Sequence, residues 1–257
     1  MTRKTYANKI AELVGGEVKE VSKPNGIVHT GIVVSANENG ISPVIYIDEY
    51  YDANTPVSKA ASLVQKASEE HKDIKIDISW VVNYEKVVPN LQARLYNEST
   101  KADVYLPAAV FGFKDLIIVP YILIGKNAYA KVTKGLLKCW NISETEVISA
   151  AVNNSNFRIF SMTDIIPFKT DSIDQSMYVV TNEEKEFGAF SIIKARQKLS
   201  EIFTKGYVAL PSSVHEFIVI PRQEDDDFYN ACRAMVRYVN IEHVAPDEKL
   251  SDNIYIF

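Results

Sequence analysis

The densest group of chemically capable side chains lies in the segment Leu210-Pro211-Ser212-Ser213-Val214-His215-Glu216, between two apolar runs. On an extended backbone Ser213 and His215 point to the same face, and a hydroxyl beside an imidazole is the minimal arrangement for general-base activation of a nucleophile. Ser213, His215 and Glu216 are therefore the candidate site for a hydrolase. The same residues also read as a Pro-Ser-Ser turn before a strand: no GxSxG elbow surrounds the serine, and no acid is placed by spacing to orient the imidazole.

A second cluster interleaves Tyr46, Tyr50 and Tyr51 with Asp48, Glu49 and Asp52. Tyrosines beside carboxylates bring large contact area at low entropic cost, so these six residues form the candidate protein-binding surface. The competing reading is that tyrosines alternating at a strand end fill a small core. Lys194, Arg196, Lys198 and Lys205 gather around one expected helix and could form a local basic patch, although Glu183, Glu184, Glu186 and Glu201 stand near them in sequence.

Other chemistries find no pattern. His29, His71, His215 and His243 show no metal-ligand spacing, and Cys139 and Cys232 lie far apart with no CxxC, so no metal site is expected and both thiols are expected to be buried and free. Neither GxxxxGK[ST] nor GxGxxG occurs, so no nucleotide cofactor is expected.

The elements that must position these groups read as α+β, with mixed, largely antiparallel sheets and packed helices. Residues 1–73 are expected to form an N-terminal β-meander plus helix, and residues 74–257 an α+β domain. In the first, strands at Glu17 to Val21 and Ile27 to Val34 flank the turn Pro24-Asn25-Gly26, and a second turn at Asn37 to Gly40 precedes a strand at Pro43 to Ile47. Thr55-Pro56 then opens a helix with Val57, Ala60, Ala61, Val64 and Ala67 on one face.

In the second, Lys75 to Ile78 alternates like a strand and Asn90 to Tyr96 has helical spacing. Val104 to Val110 and Leu116 to Ile124 read as strands whose prolines, Pro107 and Pro120, indicate edges or bulges. Ser143 with Glu146 forms a capping box, with Ile142 and Val147 as the hydrophobic staple. Further strands are expected at Met177 to Thr181, Ala189 to Ile193, Tyr207 to Leu210, Phe217 to Ile220 and Asn253 to Phe257. Between them lie a helix with Ala195, Leu199, Ile202 and Phe203 on one face, and another, after the acidic run Glu224 to Asp227, with Phe228, Cys232, Met235, Val236 and Val239 on its core stripe.

Composition bounds the partners. The 257 residues are 47% hydrophobic and 24% charged, the balance of a globular chain, and the formal charge of −5 disfavours a protein that coats nucleic acid through a broadly basic surface. Leu116 to Ile124 is interrupted by Pro120 and is less than half of the ~20 residues a membrane span needs. Met1 to Leu13 carries Arg3, Lys4, Lys9 and Glu12 with no apolar run between them, so no signal peptide and a cytoplasmic location are expected.

Four stretches carry a resemblance: NGIVHTGIVV followed by GISPVIYIDEYYD, SMYVVTNEEKEFGAFSIIKARQKLSEIF, YVALPSSVHEFIVIP and MVRYVNIEHVAPDEKLSDNIYIF. In their order and spacing the chain resembles the bacterial family catalogued as domain of unknown function five-six-eight-eight, while ADVYLPAAVFGFKDLII in the middle departs from it. The family has no established activity, so no catalytic residue carries over. The resemblance implies a context in gut anaerobes and mobile or phage-like elements. It also implies a binding role: a non-enzymatic accessory protein whose partner is a protein, with an anti-defence inhibitor of a host nuclease complex as its sharpest form. A hydrolase using Ser213 and His215, and a nucleic-acid-associated protein with a local basic patch, are the alternatives.

Overall fold

The computed structural model describes residues 1–34, 43–71, 77–125, 128–165 and 176–257. The chain divides into two units, Met1–Ile78 and Ser79–Phe257. The boundary expected between residues 73 and 74, the turn at Asn37 to Gly40 and the first two residues of the strand expected at Lys75 to Ile78 lie outside the described residues, and Asp77 and Ile78 are in no strand. Within them the class is α+β, and every strand pairing is antiparallel.

Unit 1 runs α1 (Arg3–Val14), β1 (Glu17–Ser22), β2 (Val28–Val33), β3 (Ile45–Tyr46), α2 (Asp48–Asp52) and α3 (Val57–His71). The three strands form the expected meander in the order β1-β2-β3. Its first turn holds Asn25 at φ 61° and Gly26 at φ 70°, the left-handed conformations that this residue pair tolerates. Helix α1 adds to the expected elements. Thr2 caps it by accepting the Thr5 N–H, and Gly15 ends it at φ 64°. Tyr6, Ala7, Ile10 and Ala11 of α1 share a core with Ile32 of β2, with Ile47, and with Ala60, Ala61 and Val64 of α3. The expected strand end at Tyr50 and Tyr51 is instead helix α2, which starts two residues after β3 ends.

Unit 2 begins with α4 (Tyr84–Val87), β4 (Leu91–Asn97), β5 (Leu106–Pro107), β6 (Leu116–Gly125), β7 (Ala128–Lys131), α5 (Lys134–Trp140) and α6 (Glu144–Asn154). It continues with β8 (Arg158–Ser161), α7 (Met162–Ile165), β9 (Tyr178–Thr181), α8 (Ser191–Lys194) and α9 (Arg196–Ile202), and closes with β10 (Tyr207–Ser213), β11 (Glu216–Pro221), α10 (Asp226–Glu242) and β12 (Tyr255–Ile256). One sheet has the order β12-β10-β11-β9-β8; the other is β4-β6-β5, with β7 also on β6.

Three stretches of unit 2 depart from the sequence reading. Asn90 to Tyr96 is strand β4, not helix: it pairs with β6 along its length, and Ala93 to Tyr96 are all buried, which erases the alternation that marks a one-sided strand. Val104 to Val110 keeps only the two residues of β5 before a 3-10 turn. Ala189 to Ile193 is a 3-10 turn continued by α8; a short, wholly apolar run has no period that separates a buried helix from a buried strand. Pro120 is not at an edge, since β6 is paired on both sides. Ala93 opposite it donates its N–H outward to Ser155 Oγ, so the pair is of the non-hydrogen-bonded kind and the missing proline N–H falls between β5 and β7.

Strands β10 and β11 are buried on both faces. Tyr207, Ala209, Phe217 and Val219 face the main core, while Val208, Leu210 and Ile218 face Cys232 and Val236 of α10. Phe113 lies at the centre of the main core, with ring centroids 4.7 Å from Tyr255, 5.4 Å from Phe257 and 5.6 Å from Phe217. The C-terminal segment is fastened by one carboxylate: Asp115 accepts hydrogen bonds from Ser251 Oγ (2.6 Å), Tyr255 OH (2.8 Å) and Asn253 Nδ2 (3.0 Å). Cys139 is exposed, correcting the expected burial, because only Leu137 and Trp140 of α5 are buried in the core; Cys232 is buried as expected.

The capping box at α6 is complete. Ser143 Oγ accepts the Glu146 N–H, and Glu146 accepts from both the Ser143 N–H and its hydroxyl. These bonds hold the Glu146 carboxyl below its usual 4.5. A depressed carboxyl stabilises the fold above its unfolded value and loses that contribution as pH falls through the folded value. Ser143→Ala is expected to cost about 1 kcal/mol at neutral pH in urea unfolding, and the gap between variant and parent is expected to narrow as pH drops below the carboxylate range.

Candidate functional site

The hairpin joining β10 to β11 sets the geometry of Ser213 and His215. A register shift between Pro211 and Ser213 tightens the turn and buries Val214. Ser213 Oγ then accepts the backbone N–H of His215 at 3.1 Å, so the hydroxyl serves the turn. The imidazole is engaged elsewhere. Its Nδ1 accepts the Phe187 N–H at 2.9 Å, and its Nε2 lies 3.4 Å from Glu248 Oε1. Accepting at Nδ1 puts the proton of the neutral ring on Nε2, directed at that carboxylate. The nitrogen that would remove a proton from Ser213 is therefore already occupied. Glu216 meets Ser212 Oγ at 3.4 Å. Glu248, the acid beside His215, was not legible in the sequence, because only the return of the chain before β12 brings it to the hairpin.

Phe187 joins this hairpin to a group that sequence reasoning missed. Its backbone is left-handed at φ 50°, its N–H holds His215, and its ring packs on the His215 ring with centroids 5.1 Å apart. Against that ring also lies Arg94 of β4, whose guanidinium carbon is 3.8 Å from the ring centroids of Phe187 and Tyr129 and 4.5 Å from that of Tyr121. Arg94 is only 5% exposed, and its Nε has no hydrogen-bond partner. Burial, with Tyr96 adding to it, pushes the Tyr121 hydroxyl far above the ordinary phenol range although the Arg94 cation acts in the opposite direction. Arg94 borders a niche of about 20 Å³ that Gln92, Asn156, Asn182 and Glu184 also line.

In unit 1 the candidate surface divides into structural and exposed halves. Asp48 is buried at the start of α2: Oδ1 pairs with Arg3 at 3.2 Å, while Oδ2 accepts the Thr30 N–H at 3.0 Å and faces His29 Nδ1 at 3.2 Å. Arg3 also pairs with Asp52 at 3.0 Å and lies over the Tyr51 ring. Tyr51 donates to the Met1 carbonyl and packs edge-on to Tyr6, and Tyr50 packs against the core. Tyr46, Glu49 and Asp52 are exposed, with Lys23 over the Tyr46 ring.

The basic cluster is largely used within unit 2. Lys194 donates to the Val152 carbonyl, Arg196 donates to the Phe111 carbonyl and lies over Phe257, and Lys198 pairs with Glu201. Among the described residues no three His, Cys, Asp or Glu side chains come together as metal ligands.

The outer side of α10 carries the largest correction to the expected core stripe. Cys232 and Val236 are buried against the sheet and Phe228 packs beside them, but Met235 is 64% exposed. Tyr238 at 60% and Ile241 at 71% follow it on the same side, with Ala231 and Ala234 between. Met235 is three positions from Cys232 but one from Val236, and in the folded helix it falls just past the edge of the buried stripe.

A family model described as a family of unknown function (DUF5688) matches residues 3–257. No curated protein and no solved structure matches the chain.

The internal role of Asp48 is directly measurable. Asp48→Ala leaves the Thr30 N–H without its acceptor and Arg3 with only Asp52 as partner, and is expected to lower the stability of unit 1 by about 2 kcal/mol, read by denaturant unfolding, whereas Glu49→Ala on the exposed side should change it by less than about 0.5 kcal/mol.

Proposed function

We propose that this chain, which belongs to the family of unknown function DUF5688, is a protein-binding module that docks a partner on the outer side of α10. The observation that carries this reading is a row of large apolar side chains exposed on the outer side of α10. A helix packed on a sheet ordinarily turns charged residues to solvent. Here Met235, Tyr238 and Ile241 recur at i, i+3 and i+6 with large exposed areas, and the small side chains of Ala231 and Ala234 leave room for another backbone to approach. Scattered exposed apolar residues are ordinary, but a contiguous stripe of them is the usual form of an interaction surface, and Met and aromatic residues are enriched in such surfaces. Arg237, exposed on the flank, suits a partner that carries a carboxylate beside its apolar contact.

The engagement of both His215 nitrogens favours this reading over a hydrolase built on Ser213. The finer form of the proposal places the chain in the cytoplasm, in the service of a mobile element, with a component of a host defence nuclease complex as its partner. That form rests on the family resemblance. Among the described residues no helix is long and apolar enough to cross a membrane.

The test is affinity purification from the native host with mass spectrometry, comparing the parent chain with Met235→Glu/Tyr238→Glu. A specific partner is expected to be retained by the parent and reduced about tenfold or more by the double variant, with the thermal midpoint unchanged. Equal retention by both would exclude the α10 surface, and a Ser213→Ala variant that lost the biological effect would move the assignment to the hydrolase.

A further inference from the structure

A guanidinium carries five N–H donors and no acceptor, and when buried it ordinarily meets a carboxylate. Arg94 is 95% buried, yet its guanidinium makes no hydrogen bond or ion pair to any described residue and its Nε has no partner; against it lie the rings of Tyr121, Tyr129 and Phe187. Rings stabilise the cation through their π-faces but offer the N–H groups no oxygen acceptor. Beside it lies the niche, whose lining includes Gln92, Asn154, Asn156, Asn182, Ser191 and, in an exposed position, Glu184. Its volume of about 20 Å³ admits a water-sized group, such as the leading oxygen of a carboxylate whose remainder is directed outward. The Glu184 carboxylate disfavours a dianion such as phosphate more than a monoanion.

From these observations we infer that the Arg94 niche is a binding site for a small monocarboxylate, with the guanidinium as its charge partner and the amides of Gln92 and Asn156 as neighbouring donors. The site is separate from the α10 surface and does not depend on it.

The test is thermal unfolding of the full chain in sodium acetate, sodium chloride or sodium phosphate at matched ionic strength. Acetate is expected to raise the midpoint saturably, by about 2–4 °C over chloride. Arg94→Met should abolish the rise. Because that change also removes the cation from three rings, Gln92→Glu serves as the second variant: it keeps every ring contact and sets a carboxylate of the chain's own beside Arg94. It should fold with a midpoint no lower than the parent and lose the acetate response. Equal midpoints in acetate and chloride would overturn the inference, leaving water as the partner of the guanidinium. A response retained by both variants, or a larger rise in phosphate than in acetate, would overturn it as well.

Discussion

A cation in an apolar interior is among the most demanding groups a fold can hold, and Arg94 constrains unit 2 accordingly. Dehydrating a guanidinium costs several kcal/mol, whereas cation–π contacts return about 2 kcal/mol or more when desolvated. Those contacts come from three separate places: Tyr121 on β6, Tyr129 on β7 and Phe187 in the loop after β9. The sheet containing β4, β6 and β7 must therefore be assembled, and the loop after β9 seated on it, before the charge is covered. Phe187 takes a left-handed backbone to reach it, and its N–H goes to His215. The hairpin between β10 and β11 is thereby tied to the loop that covers the arginine.

The same principle operates at the C-terminal end, with the opposite charge. Asp115 receives three donors from Ser251, Asn253 and Tyr255, while Asn240 on α10 donates to the Ser251 carbonyl and to Asp252. The motif read as LSDNIY is thus a fastening segment that ties the last strand to the loop before β6 and to α10. The LPSSVHE motif has a comparable part: the carbonyl of His215 accepts from Thr181, and the N–H of Val214 is held by the Glu248 carbonyl. The first of these stretches carries the family resemblance and the second is also the expected hydrolase site. In the folded chain their polar atoms are largely occupied in holding segments together.

Legibility followed the range of the forces. The Asn25-Gly26 turn, the meander, the Ser143-Glu146 capping box and the β10 and β11 runs were readable because each depends on residues a few positions apart. Two of the misread stretches share a cause in burial on both faces. Ala93 to Tyr96 and Ala189 to Ile193 lie in surroundings where every side chain is covered, so the period that separates strand from helix is absent. Arg94 carried no signal at all, since an arginine between Ala93 and Leu95 looks like the polar side of a helix until three distant rings are brought to it.

By itself the sequence determined the class, the order of most elements and membership of its family, because turn chemistry, capping and alternation act between near neighbours. Only the tertiary structure decided which polar groups had work left to do. Hydrogen bonds saturate, and whether His215, Asp48 or Arg94 is satisfied depends on partners such as Glu248, Arg3 or Phe187 that chain folding alone brings within reach. Exposure is decided in the same way: Met235 and Val236 are adjacent and both apolar, and the packing of α10 on its sheet buries one and leaves the other in solvent.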